Sequence, residues 1–439
     1  LEIDNIPGQT PDLLTQLMDI HDKTAIFYYN NFSTDEGQKA YKYLVDRGLS
    51  KETIKYFRLG YSMNSFDSLK TKLQGYNFSS KSLSESGLIS NNDRGYYDKF
   101  RSRIMFGITN TNGKIIAFAG RVFNNDDSAK YVNSPETPIY KKNKILYGLW
   151  ASKNEIRSKE YAIVVEGYLD FLQLFQSGIK NVVAVSGTSF TDNHAKLIKR
   201  FCKKIYLAYD GDSAGINAAI RAGYILLKFE LEAKIISIPD GKDPDDWVKM
   251  DGPEPFNAAI NDSYGLLEFH TKNTNHDITS ATGMSQFIQN VLSELVKIEN
   301  PVLRELHCRS LAELTKVSEQ SIINSINLLI SKKDKKLQYK NKNTNSELKL
   351  TEVKSPLRRI EDELIQLCFV NDLKTRIIIY EQLDSKWLNS NSVKLIFDAV
   401  FIHLNTKRTP SVSMIMSQLK DENSRKKLSS LVFNLEKIN

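Results

Sequence analysis

Between Tyr161 and Met250, three apolar runs of β character each lead into carboxylates. Ala162-Ile163-Val164-Val165 runs into Glu166, with Asp170 four residues on. Ile205-Tyr206-Leu207-Ala208-Tyr209 runs into Asp210 and Asp212, and Lys234-Ile235-Ile236-Ser237-Ile238 precedes Asp243 and Asp245. The segments between these runs read as helices, and strand–helix alternation predicts a parallel sheet. In an open parallel sheet, functional groups gather beyond the carboxyl ends of the strands. Three strand ends that deliver acids to one edge predict a site for a hard cation. Mg²⁺ (or Mn²⁺) takes oxygen ligands and keeps waters and phosphate oxygens in its shell. The chemistry suited to such a site is phosphoryl or nucleotidyl transfer assisted by metal ions.

Each acidic block has a plainer reading. A carboxylate in the first turn of a helix is stabilising, which covers Glu166 and Asp170. Asp210-Gly211-Asp212-Ser213-Ala214-Gly215 reads equally as a turn with Asp212 capping the next helix. Asp243-Pro244-Asp245-Asp246 has the order of a helix start, with Asp at the N-cap and Pro at N1. Capping and metal binding do not exclude each other. Five or six clustered carboxylates repel, and cations relieve that repulsion.

The 439 residues exceed one domain and are ample for a large core. The net charge of +8 matters less than its placement. Residues 94–144 carry ten Lys/Arg against four Asp/Glu, and residues 331–358 carry nine against three. Two basic stretches flanking an acidic block suggest a polyanionic partner, although such runs also serve as solvated faces. Cys202, Cys308 and Cys368 are far apart and form no metal-ligand spacing, so neither a disulfide framework nor a zinc site is expected. No apolar run approaches the length of a membrane span. The chain starts at Leu1 rather than Met, as a piece of a longer protein would.

The predicted fold is α/β and α+β. A mixed N-terminal subdomain spans 1–158, a central α/β sheet 159–254, a helical subdomain 255–332, a linker 333–356 and an all-α module 357–439. Residues 11–47 read as two helices, the second opened by Thr34-Asp35-Glu36. Asn112-Gly113 between two β runs predicts a hairpin over 103–122. Ile360, Leu364, Leu367 and Cys368 are expected on one face of the first helix of the last module. His194 is read as a capping or surface residue, and His307-Cys308 as packing.

The acidic blocks resemble the Toprim fold shared by DnaG-type bacterial primases, topoisomerases and some small nucleases. Glu166, Asp210 and Asp212 match its Glu and D-x-D, and Asp243 and Asp245 match the further acidic pair of primases. Upstream, Lys130-Tyr131-Val132-Asn133-Ser134-Pro135-Glu136-Thr137, Tyr147-Gly148-Leu149, Gly187-Thr188-Ser189 and Tyr43-Leu44-Val45-Asp46-Arg47-Gly48-Leu49-Ser50 resemble the primase RNA-polymerase domain. The resemblance covers roughly residues 1–330. It implies a DNA primase, a template-directed RNA polymerase that makes short primers on single-stranded DNA from ribonucleoside triphosphates. Glu166, Asp210 and Asp212 would be catalytic, and Glu166, Asp170, Asp210, Asp212, Asp243 and Asp245 would surround two or more Mg²⁺ (or Mn²⁺) ions. Glu166 is base or ligand. Arg47, Arg101, Arg103, Arg121, Lys130, Tyr131, Asn133 and Lys142 would face template and nucleotide. The family's zinc ribbon has no counterpart in this sequence, so no zinc is expected. Residues 357–439 would form part of a module that binds the replicative helicase. A monomer in the bacterial cytoplasm, without a membrane partner, is implied. Two other readings are a different Toprim enzyme, nuclease or topoisomerase, and a weakly catalytic adaptor docked on the helicase.

Overall fold

The computed structural model describes residues 11–76, 78–93, 95–123, 129–185, 187, 189–331, 356–369, 372–406 and 409–433. The expected linker lies outside these residues up to Pro356, which opens a helix. The chain divides near residue 333 into two compact units.

The first unit begins with helix α1 (Pro11–Asn30), whose Leu13, Leu17, Ile20 and Tyr28 are buried. Helix α2 (Asp35–Asp46) starts where the sequence predicts, because the Thr34 side chain accepts the Gly37 N–H. Helix α3 (Lys51–Tyr56) follows, capped by Ser50. After strand β1 (Gly60–Ser62) come the short helices α4 (Ser68–Gln74) and α5 (Ser80–Glu85) and a small hairpin, β2 (Ile89–Asn92) with β3 (Gly95–Asp98). The predicted hairpin is present as β4 (Arg103–Thr109) and β5 (Ile115–Arg121), with Gly113 in its turn at φ +80°. With β6 (Tyr131–Asn133) these form an antiparallel sheet in the order β1-β4-β5-β6. Pairing of β5 with β6 sets Arg121 opposite Tyr131.

Helix α6 (Leu149–Lys159) leads into the central sheet. Its strands are β7 (Tyr161–Val165), β8 (Val182–Ala184), β9 (Lys204–Leu207) and β10 (Glu232–Ile235), joined by α7 (Tyr168–Gln176), α8 (Asp192–Ile198) and α9 (Ser213–Lys228). These strands are parallel, as expected, and their order is β10-β9-β7-β8. Strand β9 therefore sits between β7 and β10, so the three acid-bearing ends are neighbours. Both faces are covered: Ala162 and Val164 enter one core, and Ile163 and Val165 enter the other. This explains the unbroken apolar run of β7.

Helices α10 (Pro244–Asp251) and α11 (Pro253–Asn261) follow. The edge strand β11 (Tyr264–Gly265) then pairs antiparallel with β10. The sheet thus extends beyond the boundary expected at residue 254. Two residues inside a helical pattern are too short a strand to show a period of two. Helices α12 (Leu266–Lys272), α13 (Ala281–Leu295) and α14 (Pro301–Thr315) share a core with the sheet. Cys308 is buried in that core, as the packing reading of His307-Cys308 expects.

The second unit is helical over Pro356–Leu367, Leu373–Gln382, Asn391–Leu404, Val412–Gln418 and Glu422–Phe433. Its core includes Ile365, Cys368, Val393, Phe397, Val400 and Leu428. The expected face of its first helix is only partly right. Ile360 is 54% exposed and Leu367 41%, whereas Ile365 is buried. The buried stripe runs Glu361, Ile365, Cys368, so the helix is rotated to seat Glu361, which accepts the Asn389 N–H.

Candidate active site

Glu166 is the first residue beyond β7. It does not cap the following helix. Asp170 does so, its Oδ2 accepting the Gly167 N–H at 2.8 Å. Glu166 Oε1 is buried and has no hydrogen-bond partner among the described residues. Asp210 lies three residues beyond β9. Asp212 caps α9, with Oδ1 accepting the Gly215 N–H at 2.7 Å. A Cβ on Gly215 would overlap the Asp210 backbone, so only glycine lets α9 start this close to the strand end. Asp243 caps α10, accepting the Asp246 N–H at 2.6 Å, with Pro244 at the first helical position. Asp170 Oδ1 also accepts the Asp245 N–H at 3.4 Å, which ties α7 to α10.

The strand ends open into a cavity of about 520 Å³. Glu166, Asp170, Asp210, Asp243 and Asp245 line it, together with Arg47, Arg121, Lys130, Tyr131 and Arg221. Asp212 is outside the lining, but its charge acts on Glu166 and Asp210. One oxygen from each of Asp243, Asp245 and Asp246 lies within 4.8 Å of the others. Burial, followed by the charge of Asp210, pushes the Glu166 carboxyl up to about 7. Burial and the charge of Asp243 push both Asp210 and Asp245 up to about 6. Burial and Asp243 also raise Asp170 well above the carboxylate range. An all-oxygen donor set in which acids outnumber the lining cations, with an orphaned buried oxygen, fits hard divalent cations.

The cationic wall comes from the N-terminal subdomain. Arg47 reaches Asp245 at 3.4 Å and Asp246 at 3.7 Å. The Tyr43 hydroxyl accepts from Arg47 Nε at 3.3 Å and from Arg121. Burial alone would raise the Tyr43 phenol, but the two guanidiniums outweigh it and hold it below its usual value. Arg121 is only 5% exposed and lies over the rings of Tyr43 (5.0 Å) and Tyr131 (5.7 Å). Its Nε has no hydrogen-bond partner among the described residues. A buried guanidinium facing a cavity in this way is ready for an anion.

The remaining sequence candidates stand apart from the cavity lining. Arg103 donates to the carbonyls of Gly120 (3.2 Å) and Ala129 (2.9 Å). Arg101 lies 4.5 Å over the ring of Phe66, which is 65% exposed, and 5.6 Å over that of Tyr97. Asn133 accepts from the Tyr168 hydroxyl at 2.9 Å, and Lys142 donates to the Gly187 carbonyl at 3.2 Å. His194 is fully buried, not at the surface. It serves the capping role, with Nδ1 accepting the Thr191 N–H at 3.2 Å. Arg221, Asp246, Tyr43 and Phe66 also belong to the site, although the sequence does not single them out. Arg221 had a usable signal: it shares a helical face with Ala214 and Ala218, the face that starts beside the D-x-D.

Three segments of the chain match known protein families. Residues 27–153 match the model of the DNA primase catalytic core, N-terminal domain, and residues 163–248 match a Toprim-like model. Residues 273–320 match the DnaB-helicase binding domain of primase. The DNA primase of Listeria monocytogenes is 36% identical over 315 residues, covering 70% of this chain and 50% of that protein. That of Clostridium acetobutylicum is 35% identical over 333 residues, covering 75% and 55%. The chain spans about half the length of these curated relatives. Among solved structures, a DNA primase domain from Pseudomonas aeruginosa is 34% identical with a TM-score of 0.66, covering 71% of this chain and 99% of that one. A DnaG primase catalytic domain bound to ssDNA is 31% identical with a TM-score of 0.64, covering 71% and 100%. The chain belongs to the DnaG-type DNA primase family.

Proposed function

We propose that this member of the DnaG-type primase family is a DNA-templated RNA polymerase that makes primers on single-stranded DNA from ribonucleoside triphosphates. The supporting observation is the cavity in which carboxylates from three neighbouring strand ends face Arg47, Arg121 and Lys130. In the reaction, the 3′-hydroxyl oxygen of the growing strand bonds to the α-phosphorus of the incoming nucleotide. The bond from that phosphorus to the β-phosphate oxygen breaks, pyrophosphate leaves, and the hydroxyl proton passes to a base.

Asp210, Asp212, Asp243 and Asp245, with Asp246, would hold Mg²⁺ or Mn²⁺. Such ions, when bound, lower the pKa of the attacking hydroxyl and neutralise the leaving pyrophosphate. We assign Glu166 as the proton acceptor, because it lines the cavity with a buried Oε1 that has no hydrogen-bond partner among the described residues, whereas Asp212 and Asp243 are held as helix caps. Asp170 acts as a brace, since backbone N–H groups occupy both of its oxygens. Arg121 and Lys130 bind the triphosphate, and Arg47 orients Asp245 and Asp246 beside it. The Arg101–Phe66–Tyr97 cluster takes the template, with a base stacked on the exposed ring beside the guanidinium. Arg103, Tyr131, Asn133 and Lys142 shape the groove between these points.

The replicative helicase is the proposed partner. The helicase-binding match at 273–320 and the module at 357–439 are both candidates for the contact. The chain would act as a monomer at the bacterial replication fork, in the cytoplasm. No described helix is long and apolar enough to cross a membrane. The primase-core match over 27–153 weighs against the nuclease and topoisomerase readings.

The test is incorporation of labelled ribonucleotides on single-stranded DNA with Mg²⁺ or Mn²⁺, by this chain and by Asp210→Asn. Metal-dependent synthesis that the variant loses supports the reading. Synthesis that survives the substitution, or relaxation of supercoiled DNA by the parent chain, overturns it.

A further inference from the structure

Three of the cavity's cations come from the N-terminal subdomain, and a fourth, Arg221, comes from α9. The two sets attend different carboxylates. Lys130 acts on Asp210, and Arg47 on Asp245 and Asp246, whereas Arg221 acts on Glu166 and the Tyr209 phenol behind it. The carboxylates therefore meet positive charge from two separate parts of the fold. The α9 wall is otherwise low. Ala214, Ala218 and Ala222 line it beside Arg221 and none reaches past Cβ, so the exposed guanidinium is the long group on that side.

Strand extension brings two anions to one centre. The incoming triphosphate is densely charged and suits the wall with three cations. The growing strand has one negative charge per linkage and suits a single guanidinium. Glu166, as proton acceptor for the 3′-hydroxyl, must lie next to the growing strand, and Arg221 is the cation on the Glu166 side. We infer that Arg221 binds the last phosphodiester of the growing RNA strand and so sets its 3′-hydroxyl against Glu166. This rests on the polymerase reading above.

The test uses an RNA primer annealed to a DNA template, and a second primer whose last linkage is a neutral methylphosphonate. The full chain, Arg221→Ala and Arg221→Lys are compared for extension by one nucleotide. The parent should prefer the charged primer. Arg221→Ala should raise KM for the charged primer about tenfold, the low end for loss of a charge-assisted contact. The neutral primer's KM should move much less, and Arg221→Lys should recover part of the preference. Equal increases for both primers would overturn the inference, as would a rise confined to KM for the incoming nucleotide. An Arg221→Ala chain with a lowered thermal transition is judged on the Lys variant, whose retained charge must retain the preference. If the parent extends neither primer, the polymerase reading fails and the inference fails with it.

Discussion

Replacing Glu166 with Gln should make the metal-free protein more stable at alkaline pH and less responsive to Mg²⁺. The carboxyl is raised from 4.5 to about 7, first by burial and then by repulsion from Asp210. At about 1.4 kcal/mol per unit, that shift corresponds to ~3 kcal/mol before screening. The side chain is only partly buried, and screening leaves about 1–2 kcal/mol. A carboxyl raised in the folded state favours folding below its unfolded value, and that contribution is lost as pH rises through the folded value. The parent should therefore lose stability between pH 4.5 and about 7 relative to the variant. Because Glu166 and Asp210 repel one another, this window belongs to the pair. For a unit of this size, 1–2 kcal/mol moves the midpoint by about 1–3 °C. The assay is differential scanning calorimetry in EDTA at pH 5 and pH 8, then with Mg²⁺. The variant should melt higher than the parent at pH 8, with little difference at pH 5. Mg²⁺ should narrow the gap at pH 8 by stabilising the parent more. A difference that is the same at both pH values, or a variant less stable at pH 8, would refute the repulsion argument.

Other perturbations probe other parts of the molecule. Phe66→Ala should weaken binding of a fluorescent single-stranded oligonucleotide about tenfold in anisotropy titrations, since one stacked base contributes ~1–3 kcal/mol. Unchanged affinity would remove Phe66 from the template path. Gly148→Ala should cost about 2–4 kcal/mol in urea unfolding, because Gly148 holds φ +79° and a Cβ there would overlap the Phe171 ring. A loss under about 1 kcal/mol would show that the ring moves aside easily. A chain ending at residue 331 should fold on its own, as its core is separate from that of the helical module. Capture of the replicative helicase by that shorter chain would assign the contact to 273–320, and loss of capture would assign it to 357–439.

What could be read in advance was whatever depends on local order along the chain. Strands β7, β9 and β10 announce themselves by apolar runs that end in acids. The β4–β5 hairpin is marked by Asn112-Gly113. The starts of α2, α9 and α10 are marked by Thr34, Asp212 and Asp243, and each of these side chains does cap its helix. What could not be read was which groups the fold sets around each charge. Arg101 and Arg103 are two residues apart, yet one lies on aromatic rings and the other is held by two carbonyls. Tyr43 acquires its second guanidinium only because β5 delivers Arg121 to it from far along the chain. Strand β11 is too short to carry a period, and the helix at Pro356–Leu367 turns its stripe toward partners that pattern alone does not reveal.

Three of the site's acids are also helix caps, and this bears on how the site should be probed. Asp170, Asp212 and Asp243 each accept a backbone N–H at the start of a helix. A carboxylate there is favoured by the helix dipole, so the fold tolerates a charge cluster that repulsion alone would disfavour. Substitution by Ala removes the charge and the cap together, whereas Asn removes only the charge. For Asp212, loss of the cap should cost about 1 kcal/mol in the Ala variant and a few tenths in the Asn variant. Both should lose metal-dependent RNA synthesis to the same degree. Paired thermal melts and synthesis assays separate the two roles. An Asn variant that melts like the parent but makes no RNA shows that the charge itself is required. An Asn variant that still makes RNA would reduce Asp212 to a helix cap and leave Asp210, Asp243 and Asp245 to hold the ions.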